Sequence, residues 1–172
     1  MIYLKPIQAD GFAEEGFMGF IAKQREELQE IVEDLIYLHK EGDYWDFKER
    51  YDEDKAKLVH DILCLANQKE NRDAYLIFGV VDKTFEIVGV ETSSPRFDQK
   101  QITDILYSCS FTGGVRPDVE FQTLQYINHE IDVLVIKNSL SVPFTLSKDY
   151  SYINPHRSKP TCVKANAIYG IV

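Results

Sequence analysis

Apolar residues recur at helical spacing near the start of the chain, between Phe20 and Leu38. One face of this segment is apolar and consists of Leu28, Ile31, Val32 and Leu35. Its other faces are mostly acidic. We therefore predict an N-terminal acidic helical extension over residues 1–40, followed by a main domain over residues 41–172. Such a helix suits a covering role or an oligomer contact, so a homodimer is one expectation.

The spacing of apolar residues changes after Gly42. Trp45 and Phe47 alternate with polar neighbours, which predicts a short strand. From 54 to 66 the apolar positions return to helical spacing, with Asp54 or Asp52 as the helix cap. The run AYLIFGVV, residues 74–81, is continuously apolar, as is typical of a strand that is buried on both faces. We therefore predict a strand, a helix and a central strand.

The second half of the chain is richer in strand patterns. EIVGV, residues 86–90, is predicted to form a hairpin with the central strand. Apolar residues at helical spacing from 102 to 109 predict a third helix that ends before the glycine pair at 113–114. Segments 119–127 and 131–137 predict a second hairpin, and the tail has strand composition interrupted by prolines. The predicted fold class is α+β (mixed α/β), with one mixed β-sheet and helices packed on it.

Composition and charge restrict the functional classes. The chain has 172 residues and a net charge of −9 from 19 basic and 28 acidic residues, which argues against bulk binding of phosphates. Three widely spaced cysteines suit reduced thiols in the cytoplasm. No apolar run reaches the length of a membrane span and no secretory leader is visible, so we expect a cytoplasmic protein that does not engage membranes.

Three acidic residues stand at predicted strand ends. Glu41 and Asp46 bracket the entry to the first strand, and Asp82 follows the central strand. If these carboxylates converge at one sheet edge, they would hold Mg²⁺ or Mn²⁺, which activates water and stabilises a phosphodiester transition state. Lys48 shares a strand face with Asp46 and would pair with phosphate. The alternative is that these acids form turns in an acid-rich chain.

The order and spacing of several motifs resemble one known family. Glu41-Gly-Asp-Tyr-Trp-Asp46-Phe47-Lys48 fits an acid, four residues, a second acid and Phe-Lys. Leu63-Cys-Leu-Ala-Asn67 follows in the next helix, and Leu76-Ile-Phe-Gly-Val-Val-Asp82 precedes the Val-Gly turn at 88–89. Together with the Val-Pro pattern at 142–143, these segments resemble the Schlafen AlbA_2 domain family over roughly residues 41–170.

The resemblance implies a domain that engages nucleic acid, either RNA or single-stranded DNA. In nuclease members of the family it implies a metal-dependent endoribonuclease, with Glu41, Asp46 and Asp82 as catalytic metal ligands for Mg²⁺ or Mn²⁺ and Lys48 beside them. The chain ends at Val172, where the family pattern continues with an arginine, so we expect the domain to be truncated at its C-terminus.

The chain also departs from the family pattern. NQKENRDA, residues 67–74, replaces the usual loop with paired glycines. This departure and the charge of −9 favour the alternative function, a non-catalytic regulatory or ligand-sensing module of a larger bacterial transcriptional regulator or defence protein.

Basic and aromatic residues near the C-terminus suggest a nucleic-acid-binding surface. The candidates are Arg157, Lys159, Lys164 and Tyr152, with Arg116 as a further cation. The alternative is a solvated edge strand whose charges prevent aggregation. ATP is not an expected cofactor, because the glycine pair before Arg116 lacks the spacing of a nucleotide-binding loop.

His60 and Cys64 stand one helical turn apart. No nearby motif supplies the remaining ligands of a zinc site. We therefore expect Cys64 to pack in the core as an inert thiol.

Overall fold

A computed structural model describes the backbone of residues 11–152 and 161–163 and the side chains of residues 17–150. The chain divides into two compact units, residues 1–38 and residues 39–172. In the first unit, α1 extends over Gly11–Tyr37. The predicted acidic helix is therefore present, and it begins earlier than Phe20. In the described part of the chain no helix is long and apolar enough to cross a membrane.

The second unit begins with a strand, a helix and a strand, as predicted. Strand β1 is Trp45–Lys48, α2 is Lys55–Ala66 and β2 is Ala74–Phe78. The Asp54 side chain caps α2 by accepting a hydrogen bond from the Ala56 amide at 3.0 Å. β1 and β2 are parallel, and all five residues of β2 are buried. The continuous apolar run therefore forms a central strand, as its composition indicates.

Two further strands complete the main sheet. β3, Val119–Tyr126, and β4, His129–Ile136, form the predicted antiparallel hairpin, and β4 also pairs with β2. The sheet order is β1-β2-β4-β3, so β1 and β3 are its edges. This is a mixed sheet with one parallel and two antiparallel pairings, and the predicted α+β fold class is confirmed.

The predicted hairpin between the central apolar run and residues 86–90 is present, but it is short. An antiparallel bridge joins Val80 to Ile87, and the Val81 amide donates to the Glu86 carbonyl at 2.9 Å. β2 itself ends at Phe78, because Gly79 adopts φ +98, where a Cβ would approach the Gly89 backbone to 3.1 Å. The strands beside β2 are β1 and β4, so the short hairpin begins only beyond the end of β2.

The third helix, α3, is Gln99–Ser108 and ends before the glycine pair, as predicted. Asp98 and Gln101 form a capping box at its start. In the tail, β5, Tyr150–Tyr152, and β6, Thr161–Val163, form a separate two-stranded sheet. The strand predicted around Phe144 is reduced to an isolated bridge between Phe111 and Leu146.

One face of the main sheet builds the core with α2 and α3. Buried side chains from β2 and β4, including Leu76 and Leu134, pack with Ile62 of α2 and Ile102 of α3. In the sheet register, Asp46 is paired with Leu76 and Lys48 with Phe78. Paired residues in neighbouring strands point to the same face, so the polar residues of β1 lie on the side that α2 covers.

Candidate acidic site between β1 and α2

The loop before β1 brings two predicted site residues together. An antiparallel bridge joins Gly42 to Trp45, which puts Glu41 opposite Asp46. The Trp45 indole N–H donates to the Lys40 carbonyl at 2.9 Å and holds the loop against the strand. A side chain at position 42 would collide with the Trp45 ring, so this tight turn requires glycine.

The carboxyl groups of Glu41 and Asp46 are hydrogen-bonded to each other. Burial, this hydrogen bond and repulsion from the Asp46 charge together raise the pKa of Glu41 from 4.5 to about 7. A backbone hydrogen bond from Phe47 and the charge of Lys48 oppose this shift. Near neutral pH Glu41 is therefore partly protonated beside a second carboxyl group, an arrangement that suits general acid–base catalysis.

Lys48 connects this pair to a third acid on α2. Its Nζ lies 2.7 Å from Asp46 Oδ2 and 3.5 Å from Asp61 Oδ2. Burial alone would lower the pKa of Lys48, but its hydrogen bond to Asp46 and the charges of Asp61 and Asp46 raise it above its ordinary value. Lys48 therefore stays an ammonium between two carboxyl groups.

Asp61 is a site residue that the sequence analysis missed. Burial raises its pKa, while Lys48 and His60 act in the opposite direction. The sequence placed Asp61 on a helix, but it did not show which side of that helix meets β1. The available signal was a charged residue next to the apolar stripe of α2, at the side of Ile62.

These acids border an open groove between β1 and α2 with a volume of about 500 Å³. His60 and Cys64 also line it, and the Cys64 sulfur lies 3.7 Å from His60 Nδ1. Cys64 is half-buried and faces the groove, so its predicted place in the core is wrong. Burial raises the pKa of the Cys64 thiol to about 11, and the thiol therefore stays protonated at neutral pH.

Asp82 does not join the pair of Glu41 and Asp46. It is exposed in a turn closed by a hydrogen bond from the Phe85 amide to the Val81 carbonyl, beyond the carboxyl end of β2. Glu41 precedes β1, and because β1 and β2 are parallel, the two acids lie at opposite ends of this strand pair. Within the described side chains no group of three His, Cys, Asp or Glu is arranged to hold a metal ion.

Of the predicted nucleic-acid-binding residues, Arg116 has a described side chain, and it lies outside the acidic groove. The Arg116 guanidinium stacks on the Tyr107 ring at 4.0 Å, in a cavity beside α3. Tyr152 belongs to β5, but its side chain is outside the described residues. Three further predicted contacts also fall outside them: Arg157, Lys159 and Lys164. A nucleic-acid surface at the tail stays a prediction.

A second polar cluster, also missed by the sequence analysis, is buried in the sheet. Asp132 of β4 accepts hydrogen bonds from Arg96 Nε at 2.7 Å and Nη2 at 2.8 Å. The hydroxyls of Tyr51 and Thr123 donate to the same carboxylate at 2.8 and 2.7 Å. Arg96 also contacts Glu130 at 2.7 Å. The hydrogen bond to Asp132 is the main reason why the pKa of Arg96 lies above its ordinary value.

A known protein family matches the part of the chain that contains this site. A family model described as Schlafen, AlbA_2 matches residues 41–166, which is well over half of the chain. The chain therefore belongs to the Schlafen AlbA_2 family. Membership is consistent with a nucleic-acid-related domain.

Individual proteins resemble this chain only weakly. Among curated proteins, no match to the chain is found. Among solved structures, the crystal structure of the DIP2311 protein from Corynebacterium diphtheriae is similar, with 20% sequence identity and a TM-score of 0.47 over 83% of this chain. This chain spans 31% of the length of that protein.

Proposed function

We propose that this domain binds RNA and cleaves its phosphodiester backbone in the groove between β1 and α2. The observation that carries the proposal is the hydrogen-bonded contact of Glu41 with Asp46 beside the Lys48 ammonium. An acid and a base in contact, with a cation 2.7 Å from one of them, are the groups that phosphodiester cleavage uses. Family membership supports a nucleic acid as the substrate.

RNA suits these groups better than DNA because its 2′-hydroxyl supplies an internal nucleophile. In the proposed reaction the Asp46 carboxylate accepts the 2′-hydroxyl proton while the 2′-oxygen forms a bond to phosphorus. The bond from phosphorus to the 5′-oxygen breaks, and protonated Glu41 donates its proton to that leaving oxygen. Lys48 stabilises the negative charge that develops on the phosphoryl oxygens. The products are a cyclic phosphate and a free 5′-hydroxyl.

The family resemblance also implies Mg²⁺ or Mn²⁺ held by Glu41, Asp46 and Asp82. These three residues do not fit a shared site as they stand, because Asp82 lies beyond the opposite end of the parallel strands and Lys48 already neutralises Asp46. The proposed acid–base reaction uses only side chains of this protein. Metal dependence stays a prediction, so the assay measures cleavage both with added metal ions and with chelator.

The test is cleavage of labelled transfer RNA by the full chain, with Mg²⁺, with Mn²⁺ and with chelator. Asp46→Asn is expected to lower the rate by about 10²- to 10⁴-fold in whichever condition supports cleavage, because it removes the base of the pair. Asp73→Asn is the matched control, since Asp73 also pairs with a lysine, Lys137 at 3.2 Å, outside the groove. A single-stranded DNA of the same sequence is expected to remain intact.

Cleavage in the presence of chelator would support the acid–base reaction, whereas strict metal dependence would support the carboxylate–metal reaction and contradict ours. Equal cleavage by wild type and Asp46→Asn would show that the groove is not the site of cleavage.

The non-catalytic module is the second candidate, and the charge of the groove favours it. Carboxyl groups outnumber amino groups along its lining, which includes Asp43 and Asp61 against Lys69. Such a surface disfavours phosphate at neutral pH. Binding of RNA without cleavage in any arm, by protein shown to be folded, would select this candidate.

A further inference from the structure

A second cavity, with a volume of about 260 Å³, opens on the other side of the Lys48–Asp61 ion pair. Both residues of that pair line the cavity, and Asp61 also lines the acidic groove, so the two spaces share a wall at Asp61. It lies where β1 ends and α2 begins. Crevices at the carboxyl ends of parallel strands are frequent ligand sites in α/β proteins.

Cations outnumber carboxylates around this cavity. Lys48, Arg50 and Lys57 line it, together with Asp52 and Asp61. Arg50 pairs with Glu49, and Lys57 pairs with Asp52, but the side chains of both cations are at least half exposed. Ion pairs in contact with water are weak, so an incoming phosphate can replace these carboxylates at little cost.

The inner wall of the cavity is apolar and rigid. Tyr51 stacks on Phe78 with ring centroids 4.0 Å apart, and Phe97 meets Tyr51 edge-on at 5.5 Å. The Tyr51 hydroxyl donates to the buried Asp132 carboxylate at 2.8 Å, which fixes the ring. Leu58 of α2 completes this wall. An apolar, preformed wall below a few polar groups is the usual construction of a small-molecule site.

We propose that this cavity binds one nucleotide of the RNA strand, next to the phosphodiester that is cut in the acidic groove. The inference rests on the proposed function. The nucleotide's phosphate lies between Arg50 and Lys57, and its base lies against Leu58 and Phe97. A rim with more cations than carboxylates, above an apolar wall, matches a ligand that is part phosphate and part aromatic ring.

The size of the cavity supports a single nucleotide. Pockets for drug-sized ligands occupy roughly 300–1,000 Å³. A volume of about 260 Å³ therefore accepts one base with its sugar and leaves no room for a second stacked base. Because Asp61 lines both spaces, a strand that enters the cavity brings its neighbouring phosphate to the Glu41–Asp46 pair.

The test is titration of the full chain, labelled with ¹⁵N, with adenosine monophosphate, adenosine and inorganic phosphate as separate probes. Adenosine monophosphate is expected to shift the amide signals of Arg50, Lys57 and Leu58. Lys57→Glu is expected to weaken its binding at least about tenfold, because a charge-assisted contact becomes repulsive. Lys100→Glu makes the same charge change on α3, outside this cavity, and is expected to bind as wild type does.

Three results would overturn the proposal. They are no binding by the wild type, equal binding by Lys57→Glu and wild type, and binding of inorganic phosphate as tight as that of the nucleotide. Lys57→Ala repeats the measurement if the charge reversal unfolds the chain.

The experiments distinguish a failure of the nucleotide-binding proposal from a failure of the proposed cleavage reaction. If transfer RNA is cut but adenosine monophosphate does not bind, the reaction stands and the nucleotide cavity is wrong. If the nucleotide binds at the cavity but RNA is never cut, the cavity stands as a binding site and the proposed reaction is wrong. If both occur, Lys57→Glu is expected to raise KM for RNA and to leave kcat unchanged.

Discussion

Two regions of the domain place a carboxylate next to a cation, and they differ in how completely that carboxylate is satisfied. Asp132 is fully buried and accepts four hydrogen bonds from Arg96, Tyr51 and Thr123. Asp46 has one-quarter of its side chain exposed, and it contacts Lys48 and Glu41 at the edge of an open groove.

The difference separates structural from reactive acids. A carboxylate whose lone pairs are all used has no capacity left for a ligand, and its removal leaves the donors around it without their acceptor. A carboxylate that is hydrogen-bonded to a neighbouring carboxyl group and meets solvent can exchange a proton with a substrate. We therefore expect the Asp132 network to contribute stability, and we propose the Glu41–Asp46 pair for the chemistry.

The largest effect is expected from Asp132→Ala. It leaves Arg96 without its main partner and the Tyr51 hydroxyl without an acceptor, so the free energy of unfolding should fall by about 3–5 kcal/mol. Urea denaturation followed by circular dichroism measures this change. A loss below about 1 kcal/mol would show that this network does not hold the sheet together, and the contrast with the groove would then disappear.

Arg96→Lys should have an intermediate effect. Lysine keeps the positive charge but cannot donate in parallel to both Asp132 oxygens, so we expect a loss of about 1–3 kcal/mol. The same denaturation experiment measures it, with Arg72→Lys as the control, because Arg72 lies exposed over the Tyr44 ring. Equal stability of wild type and Arg96→Lys would mean that charge alone, without the two-pronged geometry, satisfies Asp132.

The smallest effect concerns Glu41 and depends on pH. Its pKa is 4.5 in the unfolded chain and about 7 in the folded one, so between these values only the folded state keeps the proton. The stability of the wild type should therefore fall relative to that of Glu41→Gln as the pH rises from about 5 to about 8. Because the groove is open to water, we expect less than about 1 kcal/mol.

Denaturation of both proteins at the two pH values checks this difference. A change in favour of the wild type at the higher pH would contradict the raised pKa of Glu41.

Most of the fold could be predicted from local patterns, whereas the full site could not. The helical spacing of α2, the apolar run of β2 and the β3–β4 hairpin are each encoded within short segments, and each prediction is confirmed. The proximity of Glu41 and Asp46 is also encoded locally, because both lie within one turn and the strand that follows it.

The remaining contacts depend on pairings between distant segments. Asp61 reaches Lys48 only because α2 crosses back over β1, and Asp132 meets Arg96 only through the position of β4 in the sheet. Local periodicity carries no information about which faces meet. Asp82 illustrates the same limit, since the turn at Gly79 directs it away from the groove.

The turn at Gly42 also affects how easily the sheet can pair with other chains. β1 is an edge strand, and exposed edges invite pairing with other chains and aggregation. Here the Gly42 amide donates to the Trp45 carbonyl at 3.3 Å and occupies part of that edge, while charged Asp46 and Lys48 alternate along a strand of four residues. The loop that assembles the acid pair therefore also protects the β1 edge of the sheet from adding a foreign strand.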